Sequence, residues 1–312
     1  MTALSMLIAL AIDAALGWPD PLYRRIGHPV TWIGALIARL DKALNRPGWR
    51  KTTRCLTGLL CAAFVVTLVS GIAFAILSLI PEGAPRAVVA GILAWPLVAT
   101  RSMHDHVAAV VRPLASGDIE AARHAVAMIV GRDPSQLDEA GIARAAVESL
   151  AENTSDGITA PIFWGLLLGL PGIAAYKAAN TLDSMIGYRT EKHEAFGWAA
   201  ARFDDLVNLV PARLTGLLFA LTSARPITAI RVMVKDARHH RSPNAGWPEA
   251  AMAGALDVRL SGPRVYDGKP TEDPYVNPTC PDPKAADLWR GLALYRRAML
   301  AMSAMIGLMA LV

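Results

Sequence analysis

Two stretches of this chain gather carboxylates, amides and bases inside otherwise apolar surroundings. The first holds Glu148, Glu152, Asn153 and Asp156, just ahead of the apolar run Ile158–Ala175. The second holds Lys177, Asn180, Asp183, Arg202, Asp204, Asp205, Asn208 and Arg213. Ionisable groups at the ends of membrane segments are costly unless paired or hydrated, so such a cluster is a functional candidate. Carboxylates interleaved with amides and bases suit Mg²⁺ and phosphate. Mg²⁺ takes oxygen ligands, commonly one or two carboxylates plus phosphate oxygens. Arg and Lys neutralise the charge that develops on a transferring phosphoryl group. Asp156, Asp183, Asp204 and Asp205 are the metal candidates, and Glu152 and Lys177 join them as catalytic candidates. The alternative for each single carboxylate is a structural ion pair between helices.

Local spacing adds detail. Asn153-Thr154-Ser155-Asp156 and Asn180-Thr181-Leu182-Asp183 share the pattern Asn-Thr-x-Asp. On a helix, Asp204, Asp205 and Asn208 fall on one face. Intramembrane prenyltransferases hold diphosphate through Mg²⁺ with Asp-rich motifs of this kind, although here the fourth position is Asn. Arg144, Glu148 and Glu152 are spaced i, i+4, i+8 and share a helix face, as an ion-pair ladder or as a carboxylate pair aimed into a site. No familiar nucleotide-binding loop is present. Gly262–Lys269 has five residues between its glycines rather than four, and Pro270 stands where Ser or Thr would bind Mg²⁺. GxSxG and HExxH are absent. The three cysteines, Cys55, Cys61 and Cys280, form no CxxC pair, so a disulfide framework, a zinc site and an iron–sulfur cluster are not expected.

The elements that must hold these residues belong to a membrane protein. Of 312 residues, 54% are hydrophobic and 18% charged, whereas a soluble domain carries about 25% charge. Cys55–Ile80 has no charged residue from end to end, longer than the ~20 apolar residues that cross a ~30 Å hydrocarbon core. Residues 1–16, 87–100, 158–175, 206–224 and 298–312 are further apolar segments. Pro161, Pro171, Pro211 and Arg213 interrupt some of them. Broken helices at membrane depth need protein or water to satisfy the freed backbone. The expectation is an all-α polytopic helical membrane protein of about five spans, with broken or re-entrant helices and cytoplasmic helical loops, forming a single integral membrane domain over 1–312. Polar segments at about 131–157, 176–208 and 242–256 carry the candidate site.

The net charge is +5, but its placement says more than its total. Arg24, Arg25, Arg39, Lys42, Arg46, Arg50, Lys51 and Arg54 face only Asp20 and Asp41 between Gly17 and Arg54. That loop should be cytoplasmic, or serve as an anion site, and the two readings are compatible. Without basic residues ahead of its apolar run, the N-terminus reads as a retained membrane segment rather than a signal peptide. Asp118 starts a helix that stops near Gly131, and a second helix is expected from about Pro134-Ser135 to Glu152. Ile158–Ala175 is then either one kinked span or a hairpin of two half-helices. The hairpin would bring the two Asn-Thr-x-Asp tetrads together.

The combination of motifs is specific. GRDPSQLDEAGIARAAVESLAENTSDGITAPIFW (131–164), YKAANTLDSMIGYRTEKHEAFGWAAARFDDLVNLVPARLT (176–215), SPNAGWPEAAMAGAL (242–256) and GHPVTWIG (27–34) resemble, in order and over nearly the whole chain, the adenosylcobinamide-phosphate synthases of cobalamin biosynthesis. The resemblance implies a multi-pass enzyme of the cell inner (cytoplasmic) membrane, with its active site facing the cytoplasm. It implies ATP-dependent joining of aminopropanol, or its O-phosphate, to the free carboxylate of adenosylcobyric acid. Corrinoid, amine and ATP are substrates, Mg²⁺ the metal and the lipid bilayer the surroundings. No nucleic acid partner is expected. Self-association, or contact with other late cobalamin-pathway enzymes, is compatible with it.

A carboxylate is a poor acyl donor, and phosphorylation to an acyl phosphate solves this. Lys177, Arg202 and Arg213 are the phosphate-binding candidates. Glu152, Asp156, Asp183, Asp204 and Asp205 are metal ligands or bases. Asn153, Asn180, Asn208 and Asn244 are placed to orient corrinoid amides, and Tyr188 or Trp247 to stack on substrate. The competing readings are a Mg²⁺-dependent intramembrane transferase acting on a lipid diphosphate, and a transporter with broken helices.

Overall fold

The computed structural model of the protein describes residues 1–131, 133–266 and 269–311. Arg132, Asp267, Gly268 and Val312 lie outside the described residues, and so does part of the Gly262–Lys269 stretch. The chain is helical nearly throughout. In order, the helices are α1 (Thr2–Leu16), α2 (Asp20–Ile26), α3 (Pro29–Leu44), α4 (Lys51–Ser78), α5 (Ala84–Ala94), α6 (Thr100–Ala115), α7 (Ile119–Ala127), α8 (Glu139–Thr154), α9 (Ala160–Ile186), α10 (Trp198–Thr222), α11 (Pro226–Asp236), α12 (Gly246–Leu256) and α13 (Ala285–Leu311). Two short antiparallel pairs, Leu260–Ser261 with Tyr275–Val276 and Arg264–Tyr266 with Lys269–Thr271, interrupt the loop before α13.

Five helical segments are long and apolar enough to cross a membrane: Lys51–Ser78, Ala84–Ala115, Glu139–Ile186, Trp198–Thr222 and Ala285–Leu311. A sixth is reached if Thr2–Leu16 and Asp20–Leu44, bent by 110°, count as one. On α4 only 22% of the apolar window is buried, and Leu56, Leu60, Phe64, Ile72 and Phe74 are exposed. Such a surface is stable against lipid rather than water. This is an all-α polytopic membrane protein with broken helices.

Local chemistry sets the helix starts. Pro29 opens α3 at a position that needs no N–H, and His28 Nδ1 accepts from Val30 N at 3.2 Å. Asp118 caps α7 by accepting from Ala121 N at 3.0 Å. The second helix expected from Pro134-Ser135 begins instead at Glu139. Asp138 caps it through Gly141 N at 2.8 Å, and Asp133 holds Pro134-Ser135 in a turn by accepting from Ser135 N at 2.9 Å. That bond from the Ser135 amide keeps the Asp133 carboxyl below the usual carboxylate range. α10 also differs from expectation, because it continues through Pro211 to Thr222. Thr215 Oγ1 donates to the Pro211 carbonyl at 2.8 Å within it. The polar segment from Ser184 therefore ends at Trp198, and Arg202, Asp204 and Asp205 sit on the first turns of a long helix.

The chain divides into two compact units. The first comprises Met1–Ala99, Ala160–Asn208 and Ile306–Val312. Its core joins Ile33 and Ile37 of α3, Cys61, Ala62 and Val65 of α4, and Ala178, Leu182 and Ile186 of α9, with Phe196 and Ala200. A Cβ on Gly58 would fall 1.9 Å from the Phe196 carbonyl oxygen, so the 187–197 loop lies directly on α4.

Within this unit α9 is a fold-back. Gly169 has φ 67° and ψ −153° inside the helix, a conformation favourable to glycine. A Cβ on Gly172 would meet the Trp164 carbonyl oxygen at 2.3 Å, although a straight helix separates residues eight apart by ~12 Å. Ala160, Tyr176 and Ala179 share one buried cluster. The layout is thus the hairpin of two half-helices, turning at Gly169 just before Pro171.

The second unit comprises Thr100–Thr159 and Leu209–Met305. α12 is buried over nearly its whole length and packs on α11, where Gly254 would carry a Cβ 2.8 Å from Ala229 Cα. Ser149 Oγ donates to the Ile129 carbonyl at 2.7 Å, and Arg123 Nε to the Leu137 carbonyl at 2.9 Å, tying α7 and the turn after it to α8.

Candidate functional site

In the first unit, the returning half of α9 and the start of α10 bring Asn180, Asp183, Asp204, Asp205 and Asn208 together. Asp204 and Asn208 are buried one turn apart on α10. Asn208 Nδ2 donates to Asp204 Oδ2 at 3.0 Å, and Tyr176 Oη donates to Asn208 Oδ1 at 2.9 Å. The Asn208 amide is therefore oriented from both sides. Asn180 stands beside the same carboxylate, with Asp183 and Asp205 as charged neighbours. Among the described residues, Asp204 Oδ1 is buried with no hydrogen bond of good geometry. An unsatisfied buried carboxylate oxygen is unusual and costly, and calls for a cation, a proton or a substrate group.

Around this centre, Arg202 is largely exposed and pairs with Asp205 at 3.2 Å across three residues of α10. Lys177 is half-buried and lies close enough to His28 for the two to interact electrostatically. Gly187 matters as well, because a Cβ there would fall 1.9 Å from Asp183 Oδ1. Tyr188 is exposed.

In the second unit, the chain between α8 and α9 forms a π-turn over Ser155–Thr159, which contains Asp156. Such turns insert one extra residue into a helix and recur at functional sites. Ser155 Oγ and Thr159 Oγ1 are buried there without hydrogen-bond partners among the described residues. Asn153 donates to the Ser149 carbonyl at 2.9 Å, and Glu152 is exposed on the same turn of α8.

The second unit also joins three residues from two distant motifs. The Arg213 guanidinium lies 4.4 Å over the Trp247 ring. Its Nη1 donates to the Leu209 carbonyl at 2.7 Å and to Asn244 Oδ1 at 3.3 Å. The planar guanidinium suits this stacked, forked arrangement.

The Arg144–Glu148–Glu152 ladder does not form. Glu148 is buried and accepts from Ser261 N at 2.6 Å. Arg144 pairs instead with Asp282 at 2.5 Å. Arg259 holds the same carboxylate with two bonds, at 2.8 and 2.5 Å. Both guanidiniums lie over the Tyr275 ring, 5.3 and 4.6 Å from its centre. The Arg259 fork, with Arg144 behind it, holds the Asp282 carboxyl down at about 2.

Among the described residues, no three His, Cys, Asp or Glu side chains converge as a ready-made metal site. Mg²⁺ rarely uses an all-protein cage, so a fit rests on the buried Oδ1 of Asp204 with Asp183 and Asp205 beside it. Sequence reasoning missed Tyr176 and Gly187. It also missed the buried Ser155 and Thr159, and Glu249, which lies buried 3.5 Å from His240. Only the buried acid inside the apolar SPNAGWPEAAMAGAL run left a visible signal.

Residues 6–295 match the family model described as CobD/Cbib protein. The chain is similar to the cobalamin biosynthesis protein CobD of Rhodobacter capsulatus, with 65% identity over 99% of this chain and 97% of that protein. The CobD of Sinorhizobium fredii is 46% identical over 88% of this chain and 86% of its own length, and that of Brucella suis 43% identical over 96% and 94%. No solved structure matches. With the family model spanning most of the chain and such relatives matching nearly end to end, the protein belongs to the CobD/Cbib family.

Proposed function

We propose that this cobalamin biosynthesis protein is an acid–amine ligase, joining aminopropanol or its O-phosphate to the free carboxylate of adenosylcobyric acid at the expense of ATP. The observation that carries the reading is the buried Asp204 Oδ1, without a hydrogen bond of good geometry among the described residues, inside an Asp/Asn cluster in a chain of this family. In the first step a carboxylate oxygen of the corrinoid attacks the γ-phosphorus, and ADP leaves. In the second the amine nitrogen attacks the acyl carbon, the amide forms, inorganic phosphate leaves, and a base takes one proton.

Asp204, with Asp183 and Asp205, would hold Mg²⁺, which when bound supplies positive charge against the phosphate oxygens. Asn208, fixed by Tyr176, keeps Asp204 turned so that Oδ1 faces its ligand. Arg202 and Lys177 bind anionic oxygens, and Asn180 orients a substrate amide. In the second unit Arg213 presents a stacked guanidinium to a phosphate or carboxylate, alongside Asn244 and Trp247. Asn153, with Ser155 and Thr159 of the π-turn, offers polar atoms to the corrinoid amides. Glu152 and Asp156 of the second unit are carboxylates able to accept a proton. The protein acts in the cytoplasmic membrane, where ATP reaches it from the cytoplasm.

Purified protein given ATP, Mg²⁺, adenosylcobyric acid and aminopropanol phosphate should yield a corrinoid conjugate with one ADP and one phosphate per amide. Folded protein that forms no conjugate with either amine would overturn the reading. Turnover of a lipid diphosphate without ATP would replace it with the transferase.

A further inference from the structure

The first unit contains a cavity that the residues above do not use. It opens where the end of α3, the start of α4 and the 187–197 loop meet, and its volume is about 950 Å³. This is at the upper end of the range for small-molecule sites. Lys42, Arg54, Lys192 and His193 line it together with the acids Asp41 and Glu191, and Met185 and Ile186 supply apolar lining.

The wall is built and braced. Buried Asn45 donates to Asp41 Oδ1 at 2.8 Å and to the Lys192 carbonyl at 2.9 Å. Arg54 Nε donates to Asn45 Oδ1 at 2.9 Å, while its Nη2 holds the Glu191 and Lys192 carbonyls. The loop is thus fixed by its backbone, while its Lys192 and His193 side chains meet Asp41 at the cavity wall. Buried Asp41 is balanced by Lys192 at 2.5 Å and by His193 at 3.5 Å. Lys42 is exposed at the cavity and has no ion-pair partner among the described residues.

Among the lining residues the cations Lys42, Arg54 and Lys192 outnumber the acids Asp41 and Glu191 by one, and the chain around them adds further positive charge. Arg39, Lys42, Arg46, Arg50, Lys51 and Arg54 stand against Asp41 over residues 39–54. Positive-inside topology explains basic residues in this region, but it does not explain a braced cavity with buried amide and carboxylate groups behind its cations. Lysines over an apolar floor suit a ligand that carries both phosphate and carbon.

We propose that this cavity binds a phosphate-bearing organic anion, with Lys42 and Lys192 on the phosphate and Met185 against the carbon part. The site stands whether or not the ligase reading holds, because it concerns binding alone. Two sources offer that chemistry: a soluble phosphate ester such as a nucleotide, or the headgroup of an anionic lipid.

The full chain in nanodiscs of phosphatidylcholine, titrated calorimetrically with ATP and with pyrophosphate, tests the first source. Native mass spectrometry of retained lipid, after reconstitution with phosphatidylglycerol, tests the second. Lys42→Glu touches no internal contact and should fold normally. Lys192→Gln also loosens the pair with Asp41, and Lys235→Gln, on the exposed face of α11, is the control. Loss of a charge-assisted bond to phosphate weakens binding by about tenfold or more. A tenfold loss for Lys42→Glu and Lys192→Gln, with Lys235→Gln unchanged, supports the site. Loss in the ATP or pyrophosphate arm names a soluble ester, and loss of retained phosphatidylglycerol alone names a lipid headgroup. If neither probe binds, or if both bind equally to wild type and Lys42→Glu, the proposal is overturned.

Discussion

Two carboxylates in this protein have opposite surroundings. Asp282, in the loop before α13, is held by a forked Arg259 and by Arg144, with both guanidiniums resting on Tyr275. Asp204, buried on α10, has Asn208 on one oxygen, no hydrogen bond of good geometry on the other among the described residues, and Asn180 and two more carboxylates beside it. The first arrangement spends its charge on holding a loop. The second keeps an anionic site that folding alone does not complete. The sequence singles out Asp204 and not Asp282, and their partners show why one holds structure and the other is left for chemistry.

The comparison breaks most readily at Asp183. Asp183→Asn should lower turnover in the proposed reaction by about 100-fold with little change in melting temperature, since a small misplacement at a reacting centre costs that much. Gly187→Ala, which drives a methyl into the Asp183 carboxylate and to 2.7 Å from its backbone carbonyl, should lower both turnover and melting temperature. Unchanged turnover in both variants would return the cluster to a structural role.

Asp282→Asn should do the reverse. Turnover in the folded protein stays near wild type, while stability falls by about 1.5–3 kcal/mol as charged hydrogen bonds are lost, read from chemical denaturation in detergent. The pH dependence has a definite sign. The folded Asp282 carboxyl sits at about 2, below its ordinary ~3.9. Its contribution is complete above ~4 and is lost as pH falls towards 2. Melting curves between those values should be flatter for Asp282→Asn than for wild type. The smallest effect is expected at Arg213→Lys, which keeps the charge but gives up the stack on Trp247 and the fork to Leu209 and Asn244, costing about 0.5–2 kcal/mol.

Much of this was legible in the sequence. The uncharged Cys55–Ile80 run is α4, the cap at Asp118 falls where a side-chain acceptor suits a helix start, and the polar clusters lie where apolar helices break. The missed details have physical causes. Pro134 and Asp138 compete to start one helix, and the Asx turn of Asp133 decides for Asp138. Pro211 suggested a break, but the surrounding helix absorbs it. The fold-back turns on Gly169, which a sequence cannot distinguish from any helical glycine. Glu148 and Arg144 share a face as expected, yet their partners, Ser261 and Asp282, come from a loop more than a hundred residues later.

The central claim is that Asp204 is an incomplete, functional carboxylate. It is tested most directly by Asp204→Asn, assayed for corrinoid conjugate from ATP, Mg²⁺, adenosylcobyric acid and aminopropanol phosphate, with thermal stability measured on the same sample. The account predicts conjugate formation reduced by about 100-fold or more, in a protein at least as stable as wild type, since a buried unsatisfied charge has been removed. Near-normal turnover, or a variant that unfolds as Asp282→Asn does, would contradict it.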